Sequence, residues 1–222
     1  MATVIGVIRF PGTNCEFDVV EAVEAIGGEA TLLWHEDRSL DGVDAVVVPG
    51  GFAHGDYLRP GAIARFSPIM DAVGEFAAQG RPVVGICNGF QVLTEAGLLP
   101  GALQKNAGLK FRCGPQRLRV ETSQSILTST CEVGAELSIP VNHFEGNYTC
   151  SPDTLRELQD NDQVLFRYLG NPNGSVDDIA GVCSKNRNVV GLMPHPERAC
   201  HELLGSTDGI ALFNSLLVAA SD

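Results

Sequence analysis

Four short runs in the first half of the chain, residues 3–8, 31–34, 45–48 and 82–86, are built mainly from Val, Ile, Leu and Ala without the in-and-out alternation of a half-solvated strand. Strands that read as continuously apolar are buried on both faces. When helix-length segments separate them, the packing that satisfies them is a parallel sheet with helices on each side. Helix signals fall where this scheme needs them. Thr13 followed three residues later by Glu16 fits a capping box, ahead of a helix whose apolar face would be Phe17, Val20, Val23 and Ile26 and which Gly27-Gly28 would stop. Ser67-Pro68 offers a cap and a first-turn proline for a helix ending near Gly80. A further helix is expected over 88–96 and a last one from about Asp208 to Ala220, with short strands concentrated in 103–193. The expectation is a single α/β domain over 1–222, three-layered and doubly wound around a mostly parallel sheet.

Charge and cysteine content narrow the function. The chain of 222 residues has 27 acidic against 15 basic side chains, a net charge of −12, which is the wrong sign for an independent nucleic-acid binder. No uncharged apolar run reaches the ~18–20 residues of a membrane span. The start lacks the basic segment of a signal peptide, so a cytoplasmic location is expected. Seven cysteines include no Cys-x-x-Cys pair, so no zinc ribbon or dithiol motif is expected, and each defaults to a small buried residue unless its setting says otherwise.

One setting does. Gly85-Ile86-Cys87-Asn88-Gly89 lies between a buried strand and a helix, with glycine two residues to either side of the cysteine. This is the pattern of a nucleophile elbow, in which side chains at those positions would clash across the sharp turn. It places Cys87 at a helix N-terminus, where the macrodipole favours a thiolate. A base is offered by Pro194-His195-Pro196-Glu197. His195 precedes proline and is pushed toward extended backbone, and in an extended segment residues 195 and 197 project to the same side, carboxylate beside imidazole. Gly50-Gly51-Phe52, after the 45–48 strand, could turn backbone N–H groups of Gly51 and Phe52 toward an oxyanion, with the N–H of Asn88 as their partner. His35, His54 and His201 read as loop or surface residues. There is no H-E-x-x-H, Walker loop or G-x-G-x-x-G, so neither a metal nor a nucleotide site is expected in this chain.

These residues together resemble the class I, triad-type glutamine amidotransferases. The segments 9–15 (RFPGTNC), 49–52 with 55–64, 85–91 and 193–198 are similar to the glutaminase subunits of phosphoribosylformylglycinamidine synthase. Departures are small: Thr13 stands for a usual Ser, Ala53-His54 for Ser-Tyr, and Asn142-His143-Phe144-Glu145-Gly146 for Ala-His-Gly-Glu-Gly. The resemblance implies a flavodoxin-like fold and a Cys87, His195, Glu197 triad that releases ammonia from glutamine. It also implies Gln91 as a substrate contact, and partners comprising a large synthetase subunit, which would hold ATP and Mg, and a small accessory subunit.

Three other readings compete. A DJ-1-like cysteine hydrolase shares the elbow but commonly has His directly after the nucleophile, where this chain has Asn88. Another class I amidotransferase would not carry the 9–15 and 49–52 segments. A catalytically dead binding subunit would typically lack a triad member. Residues 103–120 hold Lys105, Lys110, Arg112, Arg117 and Arg119 without an acid, either a docking strip for the synthetase or an ordinary solvated strand face.

Overall fold

The computed structural model describes residues 3–221. In chain order its strands are β1 (Val4–Arg9), β2 (Glu29–Trp34), β3 (Ala45–Val48), β4 (Val83–Ile86), β5 (Ala102–Gln104), β6 (Arg112–Val120), β7 (Glu136–His143), β8 (Asn147–Thr149), β9 (Val164–Tyr168), β10 (Ile179–Cys183) and β11 (Val189–Leu192). The helices are α1 (Glu16–Ala25), α2 (Pro68–Ala78), α3 (Asn88–Glu95), α4 (Pro152–Asp160) and α5 (Gly209–Ser221). Nine strands form one sheet in the order β2-β1-β3-β4-β11-β10-β9-β6-β7, and β5 pairs with β8 in a separate two-stranded sheet.

The half of the large sheet from β2 to β11 is parallel, as the continuous apolar runs require. Every residue of β3, β4 and β11 is buried, so helices and loops cover both faces there. From β11 onward the ladders are antiparallel, making the sheet mixed, and the alternating burial of β7 marks a strand with one solvated face. The hinge between the two halves is β11. It lies parallel to β4 with Gly191 opposite Gly85 and Leu192 opposite Ile86, and so carries residue 193 onward to the same sheet end as residue 87.

Local signals were overridden in places by distant contacts. Helix α1 starts at Glu16 with Cys15 in the cap position, and no side chain caps it. Thr13 Oγ1 instead accepts from the Phe10 N–H at 2.9 Å, and Glu16 pairs with Arg9 at 3.0 Å. The capping box fails because the N–H groups of Asn14 and Cys15 are both bound to Gly50 O, which keeps the chain non-helical until Cys15. The buried ridge of α1 is therefore Val19, Ala22 and Val23, while Phe17 is turned outward beneath the Arg9 guanidinium. Strand β2 is an edge that pairs with β1 alone and is largely exposed. Helix α2 has its N-terminal proline, but Ser67 bonds to His54 instead of capping. In the basic strip, Arg117 and Arg119 pair with Glu136 and Glu121. Among the described residues no helix is long and apolar enough to cross a membrane.

Helix α3 sits directly on β3. A Cβ built on Gly89 would lie 1.8 Å from Val48 O, and backbone cannot yield that space. Gly89→Ala should destabilise the fold by about 3 kcal/mol or more, as overpacking against backbone does. Gly74→Ala in α2, where a Cβ meets nothing within 4 Å, should be neutral or stabilising by up to ~1 kcal/mol. Urea unfolding midpoints of the two variants measure the contrast.

Candidate active site

The turn from β4 into α3 has the geometry that glycines at 85 and 89 permit. Cys87 adopts φ 50° and ψ −104°, a conformation unfavourable for any residue with a Cβ, in the cap position of α3. A Cβ on Gly85 would meet the Gly89 backbone at 2.7 Å, so the turn closes only with glycine at both places. The Cys87 N–H donates to Leu192 O at 2.8 Å, tying the elbow to the end of β11. Its side chain is almost fully buried, and Sγ lies 3.8 Å from Asn142 O.

His195 follows β11 and meets the elbow from the side. The 195–197 segment, which the sequence predicts to be extended, is not extended throughout. His195 is non-helical (φ −104°, ψ 86°), but Pro196–Arg198 forms a short 3₁₀ turn. That turn swings Glu197 back so that its Oε1 accepts from His195 Nδ1 at 2.6 Å, both side chains being buried. With Nδ1 engaged, the nitrogen left for the Cys87 thiol is Nε2, which is buried and has no other partner among the described residues. Burial alone would suppress the imidazolium. The Glu197 carboxylate, Cys87 and Cys15 outweigh it and hold the His195 pKa well above the ordinary histidine range.

The Gly50–Phe52 turn lies against this pair, since a Cβ on Gly50 would meet His195 Cε1 at 2.7 Å. Of the three backbone donors read from the sequence, Phe52 is not available in this conformation, because its N–H donates to Gly12 O at 2.9 Å. The local Gly-Gly-Phe pattern could not reveal that bond, which comes from the 10–15 segment. The N–H groups of Gly51, at φ 147°, and of Asn88, at the free start of α3, are the candidate donors that remain. Gln91, one turn further along α3, lines the same cavity with its amide occupied at both ends. Oε1 accepts from Asn88 Nδ2 at 2.9 Å, and Nε2 donates to Glu145 O.

The cavity over Cys87 has a volume of about 310 Å³, enough for a small amino-acid substrate. Asp56, Lys105, His143, Glu145 and Arg198 also line it. Burial raises the Asp56 pKa to about 6 against the opposing bond from Asn88, with Glu145 adding to the rise. Burial, with the charge of His195 next, lowers that of His143 to about 4. A default reading of the other six cysteines missed Cys15. It is buried in the cavity wall with Sγ 4.0 Å from His195 Nδ1, and it accepts from Arg198 Nη2 at 3.2 Å. Its only sequence signal was membership of the 9–15 segment. Cys113, by contrast, is exposed. Ligand atoms of Cys15, His195 and Glu197 lie within 4.8 Å of one another, the spacing of a possible metal group. The Arg198 guanidinium against Cys15 sulfur already supplies the positive charge there.

A cysteine elbow at the end of the parallel half of a mixed α/β sheet, faced by a buried His–Glu pair, is the arrangement of a triad glutamine amidotransferase, and residues 2–209 match the CobB/CobQ-like glutamine amidotransferase domain family. Two curated relatives are similar over nearly their whole length, both phosphoribosylformylglycinamidine synthase subunit PurQ. That of Rubrobacter xylanophilus is 56% identical (97% of this chain, 98% of the relative), and that of Koribacter versatilis 51% identical (96% and 97%). The solved PurLQS structure from Thermotoga maritima superposes with a TM-score of 0.92 at 41% identity, covering 98% of this chain and 99% of that one. The chain belongs to the PurQ family of glutamine amidotransferase subunits.

The raised His195 pKa fixes the sign of one pH effect. A histidine with a folded pKa above its unfolded value of about 6.5 adds stability that is complete below that pH and is lost as pH rises through the folded value. Glu197→Gln removes the largest charge holding the imidazolium, so His195 in the variant should titrate below its wild-type value. The loss of stability with rising pH should shrink accordingly. NMR titration of the His195 ring proton, with unfolding curves at pH 6 and 8, checks both.

Proposed function

We propose that this chain is the glutaminase subunit of a phosphoribosylformylglycinamidine synthase, releasing ammonia from glutamine for a synthetase partner in purine biosynthesis. The observation that carries the reading is the strained Cys87 elbow facing the buried His195–Glu197 pair inside one small cavity. Cys87 sulfur attacks the side-chain amide carbon of glutamine while His195 Nε2 takes the thiol proton. The negative charge that develops on the amide oxygen falls to the N–H groups of Gly51 and Asn88. Collapse of this adduct breaks the C–N bond, His195 returns the proton to the leaving nitrogen, and ammonia departs, leaving a glutamyl thioester on Cys87. Water, deprotonated by His195, then attacks the thioester, releasing glutamate and restoring the thiol. Glu197 holds the imidazole in the tautomer that presents Nε2 and stabilises its charged form. Gln91 borders the pocket as a substrate contact.

The ammonia is consumed in the ATP-dependent conversion of formylglycinamide ribonucleotide to the amidine. This chain carries no phosphate-binding loop motif, so ATP and Mg belong to the large synthetase subunit, with a small accessory subunit completing a cytoplasmic complex. Cys87→Ala in the assembled complex should abolish glutamine-dependent synthesis while leaving synthesis from added ammonium salt intact. Glutamine-dependent synthesis by that variant would overturn the proposal.

A further inference from the structure

Asn88 has a second part to play beyond its backbone. The residue is 2% exposed, and both polar atoms of its side chain are bonded. Oδ1 accepts from the Ala53 N–H at 2.9 Å, and Nδ2 donates to Asp56 Oδ1 at 3.0 Å and to Gln91 Oε1 at 2.9 Å. The backbone donor at Ala53 fixes which end of the amide is oxygen, so this orientation is not interchangeable.

The two anchor points on the neighbouring loop flank its least favourable backbone. Between Ala53 and Asp56 lie His54 at φ 53° and Gly55 at φ 72°, and Asp56 itself is at φ 52°. Side chains at positive φ cost on the order of 1–3 kcal/mol each and persist only where surrounding bonds over-determine them. Immediately before Ala53 stand Phe52, bound to Gly12 O, and Gly51, the candidate oxyanion donor. The same amide therefore belongs to the residue supplying one donor and clamps the loop supplying the other.

From this arrangement we infer that the Asn88 side chain is a positioning residue for the oxyanion hole, stapling the 51–56 turn so that the Gly51 and Asn88 N–H groups converge on one point. The Gln91 bond extends the staple to the 142–146 segment, because Gln91 Nε2 donates to Glu145 O. This inference rests on the glutaminase reading of Cys87.

The test uses the assembled complex and two reactions of Cys87. Glutamine turnover passes through an oxyanion; alkylation by iodoacetamide displaces iodide and does not. Asn88→Ala should lower kcat for glutamine by roughly 10²-fold, the loss associated with one misplaced oxyanion donor, with KM and the alkylation rate changing by no more than about threefold. Asn88→Asp alone sets two carboxylates against each other at 88 and 56 and should be impaired similarly. The exchanged pair Asn88→Asp with Asp56→Asn keeps an acceptor for the Ala53 N–H and restores a donor–acceptor bond between 88 and 56. With Gln91 Oε1 left without its donor, the pair should recover several-fold, but not all, of the kcat lost in Asn88→Asp. An unchanged kcat in Asn88→Ala, a parallel fall of turnover and alkylation, or no recovery in the exchanged pair would each overturn the inference. Failure of the underlying reading looks different: the wild-type complex would release no glutamate from glutamine.

Discussion

Close approach of backbone to backbone underlies every part of the site. Cys87 can hold its left-handed conformation only because α3 begins within contact of β4 and β3, and that contact exists only where Gly85 and Gly89 leave no Cβ. The base is seated the same way, with Gly50 against the His195 ring. Three glycines thus bring nucleophile, base and donor loop within reach of one another, and the strain at residue 87 is sustained by a core in which β3, β4 and β11 have no solvent-facing residue.

Charge in the cavity is arranged by pairing rather than by exposure. His195 is pressed between a carboxylate and two thiols and is held toward its cationic form. His143, also buried in the cavity wall, is held neutral. Its tautomer follows from neighbouring backbone. Asn106 Oδ1 accepts from the Gly146 N–H, and Asn106 Nδ2 donates to the carbonyls of Lys110 and His143, so His143 Nδ1 must be the donor to Asn106. The two imidazoles lining the cavity are therefore held in different charge states.

The parallel core, the elbow and the His–Glu partnership were legible because each is written in short-range pattern: unbroken β-branched runs, glycines at fixed offsets, and proline after the base. What escaped was fixed by bonds between segments far apart in sequence. Thr13 and Glu16 spell a capping box, but Gly50 O claims the amides that would have begun the helix. Phe52 follows two glycines as a donor should, but Gly12 O claims its N–H. Glu197 reaches His195 by a 3₁₀ turn where an extended strand was expected, an outcome the residue types permit but do not announce. Cys15 was marked only by its place in the 9–15 segment and the side chain of Asn88 by nothing, since their significance lies in which surfaces they touch.

The position of β11 has a consequence for the chain while it is being made. Cys87 and its elbow belong to the first half of the sequence. The strand that ties down the elbow, and the His195 imidazole that follows it, arrive only after the antiparallel half has been synthesised and β11 has inserted between β4 and β10. A chain that stops before β11 therefore carries Cys87 without the Leu192 carbonyl that ties down its N–H and without the His195–Glu197 pair. The topology thus makes assembly of the site depend on the insertion of β11, the last of the eleven strands in chain order.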